Sequence, residues 1–120
     1  MSQRPPVFEK RKSPRSLAAL PLEYGPINSN KSRPGHTVDI SEGGVMVALP
    51  EQIGVGEKLR LKISFSIGPE LHSISTTGKA VWWIPKREET GHHRYGLEFE
   101  DISSEDLEKL RSFLTNFGDG

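Results

Sequence analysis

The chain has 120 residues, 33% of them apolar, and its 16 basic and 16 acidic side chains cancel to zero formal charge. That length suits one domain with a modest core, and the absence of cysteine excludes disulfides and thiolate metal sites. No apolar run is long enough to span a bilayer and none follows the first charges, so a cytoplasmic protein without membrane insertion is expected.

Residues 1–16 are polar, proline-bearing and without period, which predicts a flexible arm. Charge is concentrated there: Arg4, Lys10, Arg11, Lys12 and Arg15 face only Glu9, a net +4 over residues 1–15. The other end is acidic, with seven carboxylates against Lys109 and Arg111 over residues 98–120, a net −5. A basic arm of this kind suits contact with a polyanion or plain solvation.

After the arm, "LPLEY" (20–24) suits a first strand and "GPINSNKSRPG" (25–35) a loop. "HTVDIS" and "VMVAL" flank "EGG", which reads as strand, tight turn, strand. In "EKLRLKISFSI" Leu59, Leu61, Ile63, Phe65 and Ile67 alternate with polar residues, the signature of a strand with one buried face. "HSISTTGKAVWWI" predicts another strand, bulged at Gly78, and "KREETGHH" a charged hairpin loop. In "RYGLEFED" Tyr95, Leu97 and Phe99 share one face, with Arg94, Glu98 and Glu100 on the other. Ser103 suits a helix N-cap with Asp106 three residues on, and Leu107, Leu110, Phe113, Leu114 and Phe117 form one apolar stripe that Gly118 ends. Six strands and a terminal amphipathic helix predict a small antiparallel barrel over residues 17–102, with the helix (103–117) packed on it.

Nothing in the sequence points to an enzyme. The histidines at 36, 72, 92 and 93 have no recognisable ligand spacing, no serine lies in a nucleophile elbow, and no carboxylate pair stands out. Two short patterns remain: R-x-x-x-R in "RKSPR" (11–15) and D-x-S-x-x-G in "DISEGG" (39–44). Taken singly, each reads as an ordinary arginine spacing or an ordinary hairpin turn.

Together and in this order, around a first strand and a loop, they resemble the PilZ domain family of bacterial cyclic di-GMP receptors. The resemblance takes in "EKRKSPR", "DISEGGVMV", "KAVWW", "RYGLEFED" with its Gly-x-x-Phe, and the terminal helix. It implies a six-stranded antiparallel β-barrel with a C-terminal helix, and a cyclic di-GMP ligand with no other cofactor. The implied ligand residues are Arg11, Arg15, Asp39, Ser41 and Gly44, with Lys10, Gly43 and Trp82 as further candidates. Trp82 lies where an aromatic lines the ligand surface in some members, and a place in the barrel core is the other option for it. The chain departs from the pattern in its long insertion between the first two strands.

The chemistry of the ligand suits these residues. Guanine presents O6 and N7 acceptors that a guanidinium fork matches bidentately, and the same fork matches phosphate, so Arg11 and Arg15 suit either. Guanine's N1–H and N2–H₂ donors want an acceptor, which the Asp39 carboxylate supplies. Ser41 offers a hydroxyl, and Gly44 lets the backbone come close. The expected mode of action is ordering of the arm on the barrel, which alters a surface for an unidentified effector protein. Control of motility or exopolysaccharide is what the family implies. A PilZ-like adaptor that binds protein and no nucleotide is the alternative. A nucleic-acid binder is disfavoured by the few aromatics and the acidic C-terminal end.

Overall fold

Alternation in the sequence becomes a ladder in the computed structural model, which describes residues 16–84 and 91–118. Strand β5 (Lys58–Ile67) buries Leu59, Leu61, Ile63 and Phe65 and pairs antiparallel with β6 (Glu70–Ile84) from Lys58↔Lys79 to Ile67↔Glu70. Gly68 takes the left-handed φ of 59° that the tight turn between them requires.

The remaining strands are β1 (Ser16–Leu17), β2 (Pro21–Pro26), β3 (Arg33–Ile40), β4 (Gly44–Leu49) and β7 (His93–Glu100). Hydrogen-bonded neighbours run β3-β2-β5-β6-β7-β4, and β4 pairs back onto β3 to close a six-stranded antiparallel barrel. The two-residue β1 adds to β3 through Ser16↔Ile40 and Leu17↔Asp39. Closure leaves no long free edge, which removes a template for aggregation.

One helix, α1 (Ser104–Gly118), follows. Ser103 caps it: its Oγ accepts from Asp106 N at 3.1 Å and its carbonyl from Leu107 N at 2.9 Å. The reciprocal half of a capping box is replaced, because the Asp106 carboxylate accepts from Ser75 N at 3.0 Å and so ties the first helical turn to β6. Leu110, Phe113 and Leu114 are buried, and the Phe113 and Phe65 rings lie 4.8 Å apart. Burial of such a side chain stabilises by about 1.5–3 kcal/mol. The Phe117 side chain lies outside the described residues.

Two expectations change. The loop after β2 is shorter than residues 25–35, because β2 runs to Pro26 and β3 starts at Arg33. The bulge of β6 falls at Val81, between Ala80 and Trp82, while Gly78 pairs regularly with Leu59 and Phe99. Gly78 is required for a different reason: a Cβ there would sit 2.6 Å from Leu61 Cδ1. The expected loop "KREETGHH" lies largely outside the described residues.

Candidate functional site

Two bulges decide which side chains face outward. On β3 the register with β4 runs Thr37↔Val47 and then Asp39↔Met46 and Ile40↔Val45, so Val38 is the extra residue. Val45, Val47 and Ile40 are core residues, and Asp39 therefore stands with Met46 on the outer face of the barrel. Without the bulge, Asp39 would share the inner face with Thr37. On β6 the extra residue Val81 acts the same way: Ala80 faces the core opposite Leu97, and Trp82 then pairs with Gly96 and turns outward.

These pairings form one row across four strands: Asp39↔Met46, Met46↔Gly96 and Gly96↔Trp82. At a strand spacing of about 4.8 Å the row spans about 14 Å. Gly96 is the seat of the indole. A Cβ there would lie 2.1 Å from Trp82 Nε1 and 2.2 Å from Cε2, so only glycine lets the ring lie across the strand. Trp82 is thus half-buried on the outer surface and absent from the core cluster. Asp39 is on the same face and only 2% exposed.

Beyond β3 the chain turns through Ser41, Glu42 and Gly43 into β4. Ser41 N donates to Gly44 O at 2.9 Å and closes the turn, while the buried Ser41 Oγ is 3.4 Å from the same oxygen. Gly43 O accepts from Phe99 N at 2.9 Å, which binds the turn to β7. The close approach that Gly44 permits is also to β7, since a Cβ at Gly44 would lie 2.4 Å from Leu97 O. Glu42 pairs with Arg111 of α1 at 3.1 Å. The turn is therefore held by β7 on one side and the helix on the other.

The structure brings Asp39, Ser41, Gly43, Gly44 and Trp82 to one end and one face of the barrel. Arg11, Arg15 and Lys10 lie outside the described residues.

A second row on the same face went unremarked in the sequence. It runs His36↔Ala48, Ala48↔Arg94 and Arg94↔Ile84. His36, Val38, Ala48, His92 and Arg94 line a cavity of about 310 Å³ there, and the His36 and His92 rings meet edge-on at 6.2 Å. The signal for Arg94 was the alternation of β7, which puts it on the face of Gly96 and Glu98.

The opposite end of the barrel carries a polar network around two buried tyrosines. Tyr95 OH donates to Glu51 O at 2.8 Å and accepts from Ile53 N at 2.7 Å. Tyr24 OH donates to Glu51 Oε1, and Arg33 pairs with Glu51 at 2.7 Å. Burial pushes both phenols above their ordinary range, and the Glu51 charge adds to this. Among the described residues no group of three histidines or carboxylates is placed to hold a metal, and no helix is long and apolar enough to cross a membrane.

Residues 9–116 match the family described as PilZ domain. No curated protein matches the chain. Among solved structures it is similar to the Bacillus subtilis inhibitor of motility MotI/DgrA, at 22% identity and TM-score 0.77, over 91% of this chain and 51% of that one. The PilZ domain of Escherichia coli YcgR, solved with c-di-GMP, matches at 12% identity and TM-score 0.68, over 92% and 93% of the two chains. The MrkH–c-di-GMP complex of K. pneumonia matches at 13% identity and TM-score 0.63, over 91% and 52%. The chain spans about half the length of MotI and of MrkH.

Proposed function

This chain belongs to the PilZ domain family, and from that premise we propose that it is a cytoplasmic receptor for cyclic di-GMP that acts by binding and not by catalysis. The observation that carries this reading is the row from Asp39 to Trp82 on the outer face, beside the Ser41–Gly44 turn. The Asp39 carboxylate accepts from guanine N1–H and N2–H₂, and the Trp82 indole offers a flat surface to a base or a guanidinium plane. Ser41 lends its hydroxyl. Gly43 and Gly44 keep the turn tight against β7.

Arg11 and Arg15 supply forks for base edge and phosphate. Ser16, which follows Arg15 directly, pairs with Ile40 next to Asp39, so the arm joins the barrel at this face. Ligand holds the arm there, and Lys10 adds charge. Ordering costs about 1–2 kcal/mol per residue fixed, which the charged contacts must exceed. The altered surface is what an effector protein recognises, with motility or exopolysaccharide as the regulated process.

Calorimetric titration with cyclic di-GMP tests this. Asp39→Ala is expected to weaken binding by about 1–3 kcal/mol with the melting temperature kept. The near-complete burial of Asp39, 2% exposed, favours a second reading, an adaptor that binds a protein partner and no nucleotide. Absence of binding at millimolar cyclic di-GMP would overturn the receptor reading and leave the second one standing.

A further inference from the structure

We propose that His36, His92 and Arg94 form a second anion subsite on this outer face, one that takes a phosphate of the guanine dinucleotide. The inference rests on the receptor reading above and deepens it.

Arg94 is half-buried, and among the described residues no carboxylate pairs with it. A partly desolvated guanidinium has lost some of its hydration and gains from an anion in compensation. Its neighbours on the face suit that ligand. Ala48, directly opposite it on β4, is short and leaves floor space, and Ile84 opposite on β6 is apolar. His36 and His92 line the same cavity as Arg94, and an imidazole N–H is a donor an anion can use. The acidic residues of the same face on β7 are Glu98 and Glu100, four and six positions away and beyond Gly96. Three nitrogen-bearing side chains around about 310 Å³ of open space make a basket for a phosphate.

Position links the basket to the first row. Arg94 is two residues from Gly96 along β7, about 6.8 Å, and two strands from Asp39, which puts the two Cα positions about 12 Å apart. A dinucleotide whose guanine is held at Asp39 reaches that far with its other phosphate, and a second dinucleotide stacked on the first reaches it as well. Both sources present the same chemistry.

The full-length chain, Arg94→Gln, Arg94→Lys and Asp39→Ala are titrated with cyclic di-GMP by calorimetry, and the melting temperature of each is measured. Arg94→Gln is expected to bind about tenfold to a hundredfold more weakly, or at a lower molar ratio, with an unchanged melting temperature. Arg94→Lys keeps the charge but not the fork, and falls between. A molar ratio that drops from two to one assigns the phosphate to a second dinucleotide, and an unchanged ratio with weaker binding assigns it to the same molecule. Wild-type affinity and ratio in both folded Arg94 variants, beside a weakened Asp39→Ala, overturn the subsite and leave the receptor reading standing. If the native chain does not bind, the receptor reading itself fails.

Discussion

Replacing Gly96 with alanine asks whether the indole seat is real. The added Cβ would lie 2.1 Å from Trp82 Nε1, 2.2 Å from Cε2 and 2.7 Å from Cζ2. Ordinary carbon contacts are about 3.5–4.0 Å, so the ring has to retreat by about 1.5 Å. The ring is rigid and cannot yield at one edge, so it swings as a whole into an unfavourable rotamer or lifts off the strand. Such overpacking costs about 1–3 kcal/mol, offset by about 0.4–1 kcal/mol from the reduced freedom of the unfolded chain. A net loss of about 1–2 kcal/mol is expected, a fall of several degrees in melting temperature for a chain this size. The decisive comparison is a double-mutant cycle with Trp82→Ala, read by urea denaturation. With the ring gone, Gly96→Ala should be neutral or stabilising, giving a coupling of about 1–3 kcal/mol. If alanine at 96 costs as much without the ring as with it, the indole does not rest on that glycine.

Gly44→Ala is expected to destabilise by about 2–3 kcal/mol, because its Cβ would meet Leu97 O at 2.4 Å and a strand backbone cannot step aside. A variant that melts like the native chain yet has lost cyclic di-GMP would show that Gly44 makes room for ligand and not for β7. Stability should also fall as pH rises above about 10: the unfolded tyrosines then release protons that the folded Tyr24 and Tyr95 retain, since both are raised in the native state. Below that pH both states hold the protons and the contribution is fully present. Tyr95→Phe should reduce this alkaline slope while costing about 1–3 kcal/mol at neutral pH, because Ile53 N–H and Glu51 C=O lose their buried partner. Urea midpoints from pH 8 to 11 check both, and a flat profile would contradict the assignment.

Periodicity carried most of the barrel. The β5 alternation, the Leu110, Phe113 and Leu114 part of the α1 stripe, and the Ser103 cap all follow from local chemistry, and each appears as expected. The orientation of the site was not legible in the same way. A single extra residue in a strand reverses every side chain after it, and the sequence marks that event with no special residue. Gly78 looked like the bulge of β6, but the bulges fall at Val38 and Val81, two residues with ordinary strand preferences. Strict alternation along β3 or β6 would turn Asp39 and Trp82 inward, and only the bulges bring them to the outer face. The Asp39–Gly44 motif was legible only through its resemblance to a family, since an Asp-Ser-Gly turn alone is an ordinary hairpin. Arg94 was visible on the wet face of β7, but nothing local separated it from a solvated charge.

The glycines of β4 and β7 also bear on how binding at this face would reach the rest of the chain. Glu42 and Arg111 join the turn to the helix through a pair half open to solvent, and such pairs contribute about 0–1 kcal/mol. A signal carried by that pair alone is therefore limited to about a fivefold change in affinity for an effector. The backbone route is stiffer. Gly43 O is bonded to Phe99 N, Gly44 lies against Leu97, and two residues past Phe99 the chain reverses at Asp101 with a φ of 61° before entering the Ser103 cap. A displaced turn thus pulls on β7, and β7 pulls on the first turn of α1, which Asp106 also ties to Ser75. A ligand response larger than fivefold at the helix needs more than that pair, and this path offers it through hydrogen bonds that move with the strand.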